Sequence, residues 1–266
     1  MSLNNILDIF KTKNSKERKA AQRYDVAVVS MPADRPINED FVGYKEGEKR
    51  LLVALADGLG GHGKGEEASK LSVQNAEEIF NEHDDINAML AQMFQTAQDK
   101  VMAKQIEISN TNVMKTTLVL GVVENSLLYY GHIGDSRLYY FEDGKYKFHT
   151  LDHSVPQMLV SSGRIKEKDI RGHEDRNRLL RVIGTEWNDP RYEIAKTPVE
   201  LKKGDAILLC SDGFWELITE KQMNAAFRAS SGAGEWVRKM EECILATGKN
   251  GSKNMDNYSA IAVIAE

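Results

Sequence analysis

Leu51-Leu-Val-Ala-Leu-Ala-Asp57-Gly58-Leu-Gly-Gly-His62 holds six apolar residues in a row, then an acid, then a glycine-rich loop. An apolar run of this length, bounded by glycine, reads as a strand buried on both faces. Asp57 then stands at the strand's end, and the glycine after it leaves a backbone carbonyl open to a hard cation. The arrangement recurs at Gly134-Asp135-Ser136, at Ser211-Asp212-Gly213 after the apolar residues 206–210, and at Asp256-Asn257 ahead of 259–265. Four strand-end acids can converge on one cleft, and their oxygen donors suit a metal.

Working outward from this stretch, residues 24–30 carry Val26, Val28 and Val29 and predict a further buried strand. Ala68, Leu71, Ala76, Ile79 and Phe80 predict a helix over 66–80, and Met89, Leu90, Met93, Phe94, Ala97 and Val101 predict one over 86–106, an antiparallel pair. Strands follow at 117–123, 126–130, 138–141 and 146–150, with Asp143-Gly144 as a hairpin turn. Their short connections favour antiparallel pairing. Ser154 caps a short helix through Val160, Gly163 ends it, and a charged stretch leads to 179–184. Helices over 219–228 and 235–246 precede the closing strand at 259–265. The order predicts an α+β fold, a four-layer αββα sandwich of two antiparallel sheets packed face to face and flanked by antiparallel helix pairs.

The 266 residues are 41% hydrophobic, enough for one large domain. Net charge is −5 with lysine and arginine scattered, so there is no basic stripe for nucleic acid. An acidic cleft repels anionic ligands unless cations sit in it. No apolar run reaches about 18 residues, and the amino terminus lacks a signal-type apolar segment. With only Cys210 and Cys243, the chain reads as cytoplasmic. Residues 1–22 differ from the rest: Leu3, Ile6, Leu7 and Phe10 at helical spacing precede a lysine-rich stretch. We read this as an amino-terminal extension, a short helix or flexible linker, with an amphipathic docking helix as the alternative.

Three chemistries fail on single positions. The loop from Gly58 to Gly65 nearly matches a phosphate-binding P-loop, but Gly65 stands where a Ser or Thr must hold magnesium. A cysteine phosphatase needs an arginine six residues after its nucleophile, where Cys210 has Glu216 and Cys243 has Lys249. No Asp-x-Asp pair exists for an aspartyl-phosphate route.

Arg35-Pro-Ile-Asn-Glu39-Asp40, Asp57-Gly-Leu-Gly-Gly-His62, Gly134-Asp135-Ser-Arg137, Asp152-His-Ser154, Ser211-Asp212-Gly-Phe-Trp215 and Asp256-Asn257 together resemble the PP2C (PPM) metal-dependent serine/threonine phosphatases, in order and approximate spacing. The match looks like the bacterial branch and runs from about residue 24 to the carboxyl end. The resemblance implies a central β-sandwich between helix pairs, and hydrolysis of phosphoserine and phosphothreonine in proteins at a binuclear Mn2+ or Mg2+ centre. Asp57 would bridge the two ions, with the Gly58 carbonyl on one and Asp212 and Asp256 on the other. Glu39 and Asp40 would bind directly or through water. In such sites two ions about 3.5–4 Å apart acidify a bridging water, which the resemblance implies would attack phosphorus in line. Arg35 would hold the phosphate oxygens through its planar fork.

The remaining residues are less determined. The resemblance gives Asp135, with Asp212, a third ion; a turn aspartate bonding nearby amides is the alternative. Glu216 replaces the aspartate many members carry, leaving its part in that site open. His62 lies five residues after Asp57, whereas the acid histidine of eukaryotic relatives directly follows the glycine, at the position of Leu59. It therefore stands open as proton donor or loop-ordering residue. Arg137 reads as a scaffold ion-pair partner. Asp152-His153-Ser154 resembles a triad only in letters, since adjacent residues cannot stack in triad geometry. Residues 23–266 form the phosphatase domain, and about 154–184 match the family's mobile flap. Expected partners are phosphorylated proteins, substrates of a serine/threonine kinase; nucleic acid and a transmembrane segment are not expected, and the chain reads as a monomer. The rival from another class is a catalytically silent PP2C-like module that binds phosphoproteins or regulates a partner. Retention of Arg35, Asp57, Asp212 and Asp256 speaks against it.

Overall fold

The computed structural model describes residues 24–60, 63–81, 83–250 and 254–266. The expected extension at 1–22 and His62 lie outside them. The strands are β1 (Tyr24–Met31), β2 (Asp40–Glu46), β3 (Arg50–Asp57), β4 (Leu118–Glu124), β5 (Leu127–Ile133), β6 (Arg137–Glu142), β7 (Lys145–His149), β8 (Glu193–Ile194), β9 (Val199–Glu200), β10 (Ala206–Cys210) and β11 (Tyr258–Ala265). The helices are α1 (Gly65–Ile79), α2 (Ile86–Glu107), α3 (Val155–Ser161), α4 (Asp212–Trp215), α5 (Glu220–Arg228) and α6 (Ala233–Asn250). Strands pair as β1-β11-β10-β6-β7 in one sheet and β2-β3-β4-β5-β8 in the other, with β9 also on β5. The pairings are antiparallel.

The continuous apolar runs are central strands whose two faces meet different layers. In β3, Leu52, Ala54 and Ala56 join Ala68, Val73, Met89 and Phe94 of α1 and α2. Leu51, Val53 and Leu55 point the other way, into a core shared with Leu138, Ile207, Leu209 and Ile261 of the opposite sheet. In β10, Leu208 and Cys210 pack beside Met223, Trp236 and Met240 of α5 and α6. Three apolar layers thus separate helix, sheet, sheet and helix. This is the αββα sandwich, because period-2 side chains on a doubly covered strand must be apolar on both sides. Among the described residues no helix is long and apolar enough to cross a membrane.

Several boundaries moved for local reasons. Ser126 belongs to a turn rather than a strand: Asn125 and Ser126 have φ of 50° and 66°, a hairpin geometry of the primed type, and β5 continues to Ile133. Asp143 and Gly144, at φ 47° and 67°, make the expected hairpin. Among the elements not anticipated, which include β8 and β9, two carry acids of the site. One is β2, whose half-exposed face and charged end mask its alternation. The other is α4, a single turn too short to show periodicity. Within residues 154–184, Ser154 caps α3, and Ile170 of the 3-10 turn Glu167–Gly172 is buried. Arg171 donates to the carbonyls of Trp215 and Ile218 and to Glu220.

Candidate metal centre

Register brings the acids together. β2 pairs with β3 so that Asp40 lies opposite Asp57. β10 pairs with β6 so that Cys210 faces Arg137; just beyond this pair lie Asp212, at the start of α4, and Asp135, close enough for the charge of Asp212 to act on Asp135. β10 also faces β11, with Cys210 opposite Ala260, which brings the end of β10 and the start of β11 to the same edge. The turn carrying Asp135 passes from β5 in one sheet to β6 in the other. The acids therefore gather where the two sheets meet at one edge.

Hydroxyls and amides fasten this seam. Ser211 Oγ donates to Asp40 Oδ2 at 2.8 Å and accepts from the Ser259 amide at 3.0 Å. The Asp57 amide donates to Thr117 Oγ1 at 2.9 Å, and Thr116 Oγ1 donates to the Asp57 carbonyl at 2.8 Å. Asn257 accepts from the Glu39 amide and donates to the carbonyls of Pro32 and Ile37, anchoring the loop before β2. Arg35 on that loop donates from Nη2 to Asp256 Oδ2 at 2.8 Å, and both side chains face solvent.

The glycines serve close approach more than turn geometry. A Cβ on Gly58 would lie 2.3 Å from the Gly65 carbonyl, and one on Gly213 would lie 1.9 Å from the Asn257 carbonyl oxygen. Neither residue has positive φ. Each lets a second backbone segment lie against the acid-bearing strand end. The Glu39 carboxylate packs against Gly60 and accepts from the Gly65 amide.

Electrostatics mark the cluster. Asp40 and Asp135 are buried, while Asp57 and Asp212 are partly exposed. Withdrawal from water pushes Asp57 and Asp135 well above the usual carboxylate range; Asp40 and Asp212 add to it at Asp57, and Asp212 and Asp152 at Asp135. Asp212 is raised by burial and then by Asp256, and shares a hydrogen bond with Asp57. Asp40 is pushed up to about 7, chiefly by burial, against the opposing hydrogen bonds of Ser259 and Ser211. Asp40 Oδ1 is buried and has no hydrogen-bond partner. Packed carboxylates that oppose one another's ionisation, one with an orphan oxygen, fit hard divalent cations.

A different trio, His132, His153 and Glu193, has ligand atoms within 4.8 Å of one another; no three of the aspartates converge that tightly among the described residues. A binuclear centre does not require it, since its ligands are divided between two ions. The histidine trio is poorly disposed for a cation. Its rings stack at 4.5 Å, His132 Nε2 is bonded to the Leu151 carbonyl, and His153 Nδ1 accepts from the Gly134 amide. Arg181 adds its guanidinium, 3.0 Å from Glu193.

Of the expected residues, Asp40, Asp57, Asp135 and Asp212 form one interacting cluster, with Glu39, Asp256 and Arg35 at its rim. Arg137 is a buried partner of Asp152, and Ser154 is a helix cap, as the sequence suggests. Glu216 is held by Arg176 at 3.0 Å and is pushed up to about 7 by burial and then by Asp212. Ser211, Asn257 and the Thr116-Thr117 pair were not assigned from sequence. The first two stand beside predicted ligands; the threonines carry no signal beyond a polar pair opening a strand.

With this geometry in place, comparison with known proteins defines the class. The protein phosphatase 2C family pattern matches residues 33–244, and the chain belongs to that family. Among individual relatives, it is 28% identical over 233 residues to "Serine/threonine phosphatase stp" of Listeria innocua, covering 85% of this chain and 89% of the relative. The solved structure of the Mycobacterium tuberculosis serine/threonine phosphatase PstP/Ppp superposes with a TM-score of 0.78 at 29% identity, over 91% of this chain and 99% of that one. The catalytic domain of PstP in complex with two manganese ions superposes at 0.75 with 27% identity, over 91% and 98%.

Proposed function

We propose that this chain hydrolyses phosphoserine and phosphothreonine in proteins at a binuclear Mn2+ or Mg2+ centre. The observation that carries this is the gathering of Asp40, Asp57, Asp135 and Asp212 at the sheet seam, with Asp40 opposite Asp57 and bonded to Ser211 beside Asp212. Asp57, the Gly58 carbonyl, Asp212 and Asp256 hold the two ions, and Glu39 and Asp40 hold them directly or through water. When bound, such ions acidify water and neutralise phosphate charge. Asp135 and Asp212 hold an accessory third cation. The chain acts as a cytoplasmic monomer on proteins phosphorylated by a serine/threonine kinase, with residues 23–266 as the phosphatase domain and 154–184 as its flap.

Arg35 presents its exposed guanidinium at the rim, oriented by Asp256, and binds the phosphate oxygens. Arg35→Ala should raise KM about tenfold or more with kcat little changed, the loss of a charge-assisted contact. An unaltered KM would place the phosphate elsewhere.

The purified protein with millimolar Mn2+ should hydrolyse p-nitrophenyl phosphate and a phosphothreonine peptide, and a chelator should abolish both. No turnover with phosphopeptide binding intact would make the chain a binding module instead.

Cation binding must displace protons. Because folding raises Asp40 from 3.8 to about 7, this carboxyl favours the fold below pH 3.8, and that contribution is lost as pH rises through 7. Melting curves should therefore show a larger Mn2+-induced rise in Tm at pH 8 than at pH 5.5. Equal rises would refute proton-coupled binding by this cluster.

A further inference from the structure

We infer that Trp215 is a positioning residue for the accessory cation, fixing the separation of Asp135 and Asp212 through its indole N–H. The inference rests on the accessory-site reading given above.

Trp215 ends α4, the one-turn helix that Asp212 begins. The turn is closed by backbone bonds from Phe214 and Trp215 to the Ser211 carbonyl and from Glu216 to that of Asp212. The indole therefore keeps a fixed relation to the Asp212 backbone. Its Nε1 donates 3.0 Å across to the carbonyl of Asp135 itself, a buried bond. This is a direct link between the element carrying one acid and the turn carrying the other.

Both partners are braced from behind. The Arg137 guanidinium lies 3.6 Å from the centre of a Trp215 ring and is gripped by Asp152 through two 2.7 Å bonds. On the far side of the turn, the His153 amide donates to the Gly134 carbonyl at 2.9 Å, and the Gly134 amide donates to His153 Nδ1 at 3.2 Å. The turn before Asp135 is thus held by His153, and Asp135 itself by Trp215. Asp152-His153, triad-like in letters, is the back wall of this turn. Phenylalanine at 215 would keep the ring beneath Arg137 but leave the buried Asp135 carbonyl unpaired. The two acids would then lose this cross-strut, and outer contacts of this kind change metal affinity about 10–100-fold.

Calorimetric Mn2+ titration of the intact protein should resolve a tight pair of sites and a weaker third. Trp215→Phe should weaken the third class about 10–100-fold and leave the tight pair unchanged, which general loss of structure would not do. If Asp135→Ala removes the weak class and Trp215→Phe leaves it unaltered, the positioning inference fails while the accessory site stands. If Asp135→Ala leaves all three classes in place, the accessory site fails and the inference with it. Should Trp215→Phe not fold, the wild-type chain supplies the answer, since it has only three tryptophans. In a Mg2+ titration by NMR, the Trp215 indole N–H resonance should shift as the weak class fills, while that of Trp236, bonded to the Met223 carbonyl, stays in place. A Trp215 signal that does not respond overturns the inference.

Discussion

Asp57→Ala is expected to lower metal-dependent kcat by at least about 10²–10³-fold, the loss seen when one preorganised electrostatic group is removed from an active site. The fold should survive it. The backbone groups of Asp57 keep their bonds to Thr116 and Thr117, so the junction of β3 with β4 does not depend on the carboxylate. Removing the side chain also takes out a carboxyl whose ionised form burial and the charges of Asp40, Asp212 and Asp135 disfavour, against the loss of one hydrogen bond to Asp212. The melting temperature without added Mn2+ should therefore hold or rise, and the increment on adding Mn2+ should shrink. Turnover within about threefold of the parent would sink the assignment of Asp57 as shared ligand, whatever the melting curve shows. Asp212→Ala should behave alike, since it shares a hydrogen bond with Asp57 from the other sheet.

Much of this was legible in the sequence, for a physical reason. Strands buried on both faces must be apolar throughout, so residues 51–56 and 206–210 declare themselves, and the first polar residue after each run marks where the strand leaves the core. Those residues are Asp57 and Ser211-Asp212. What the sequence did not display is register. Asp40 opens a strand whose half-exposed face and central glycine hide its alternation, yet its pairing with Asp57 sets two of the acids side by side. The contacts of Ser211 with Asp40 and of Trp215 with Asp135 cross between segments far apart in the chain. Local pattern carries no information about such partners. The glycines show the same divide: their positions beside Asp57 and Asp212 were evident, but their cause, a second backbone pressed against each, depends on Gly65 and Asn257.

The second large effect should fall on stability and not on the acids themselves. Arg137 and Asp152 are 2% and 1% exposed and are joined by two parallel 2.7 Å bonds. Asp152→Ala leaves the guanidinium buried with the Tyr139 hydroxyl and the Trp215 ring as its remaining partners. Breaking such a pair from one side costs about 3–5 kcal/mol, which at roughly 2–4 °C per kcal/mol for a chain of this size lowers Tm by about 6–20 °C. Arg137→Met alone should cost a similar amount by stranding the carboxylate. Arg137→Met with Asp152→Leu should recover much of the loss, because no buried charge then lacks a partner, and the double-mutant cycle should show strong coupling. Additive losses would mean that the two residues do not act as a pair. If Asp152 were instead a catalytic acid, as its place beside His153 and Ser154 invites, Asp152→Ala would lower kcat at 15 °C with Tm intact. The buried geometry predicts the reverse order of effects, with Tm falling first and the residual activity of the folded fraction retaining its dependence on Mn2+.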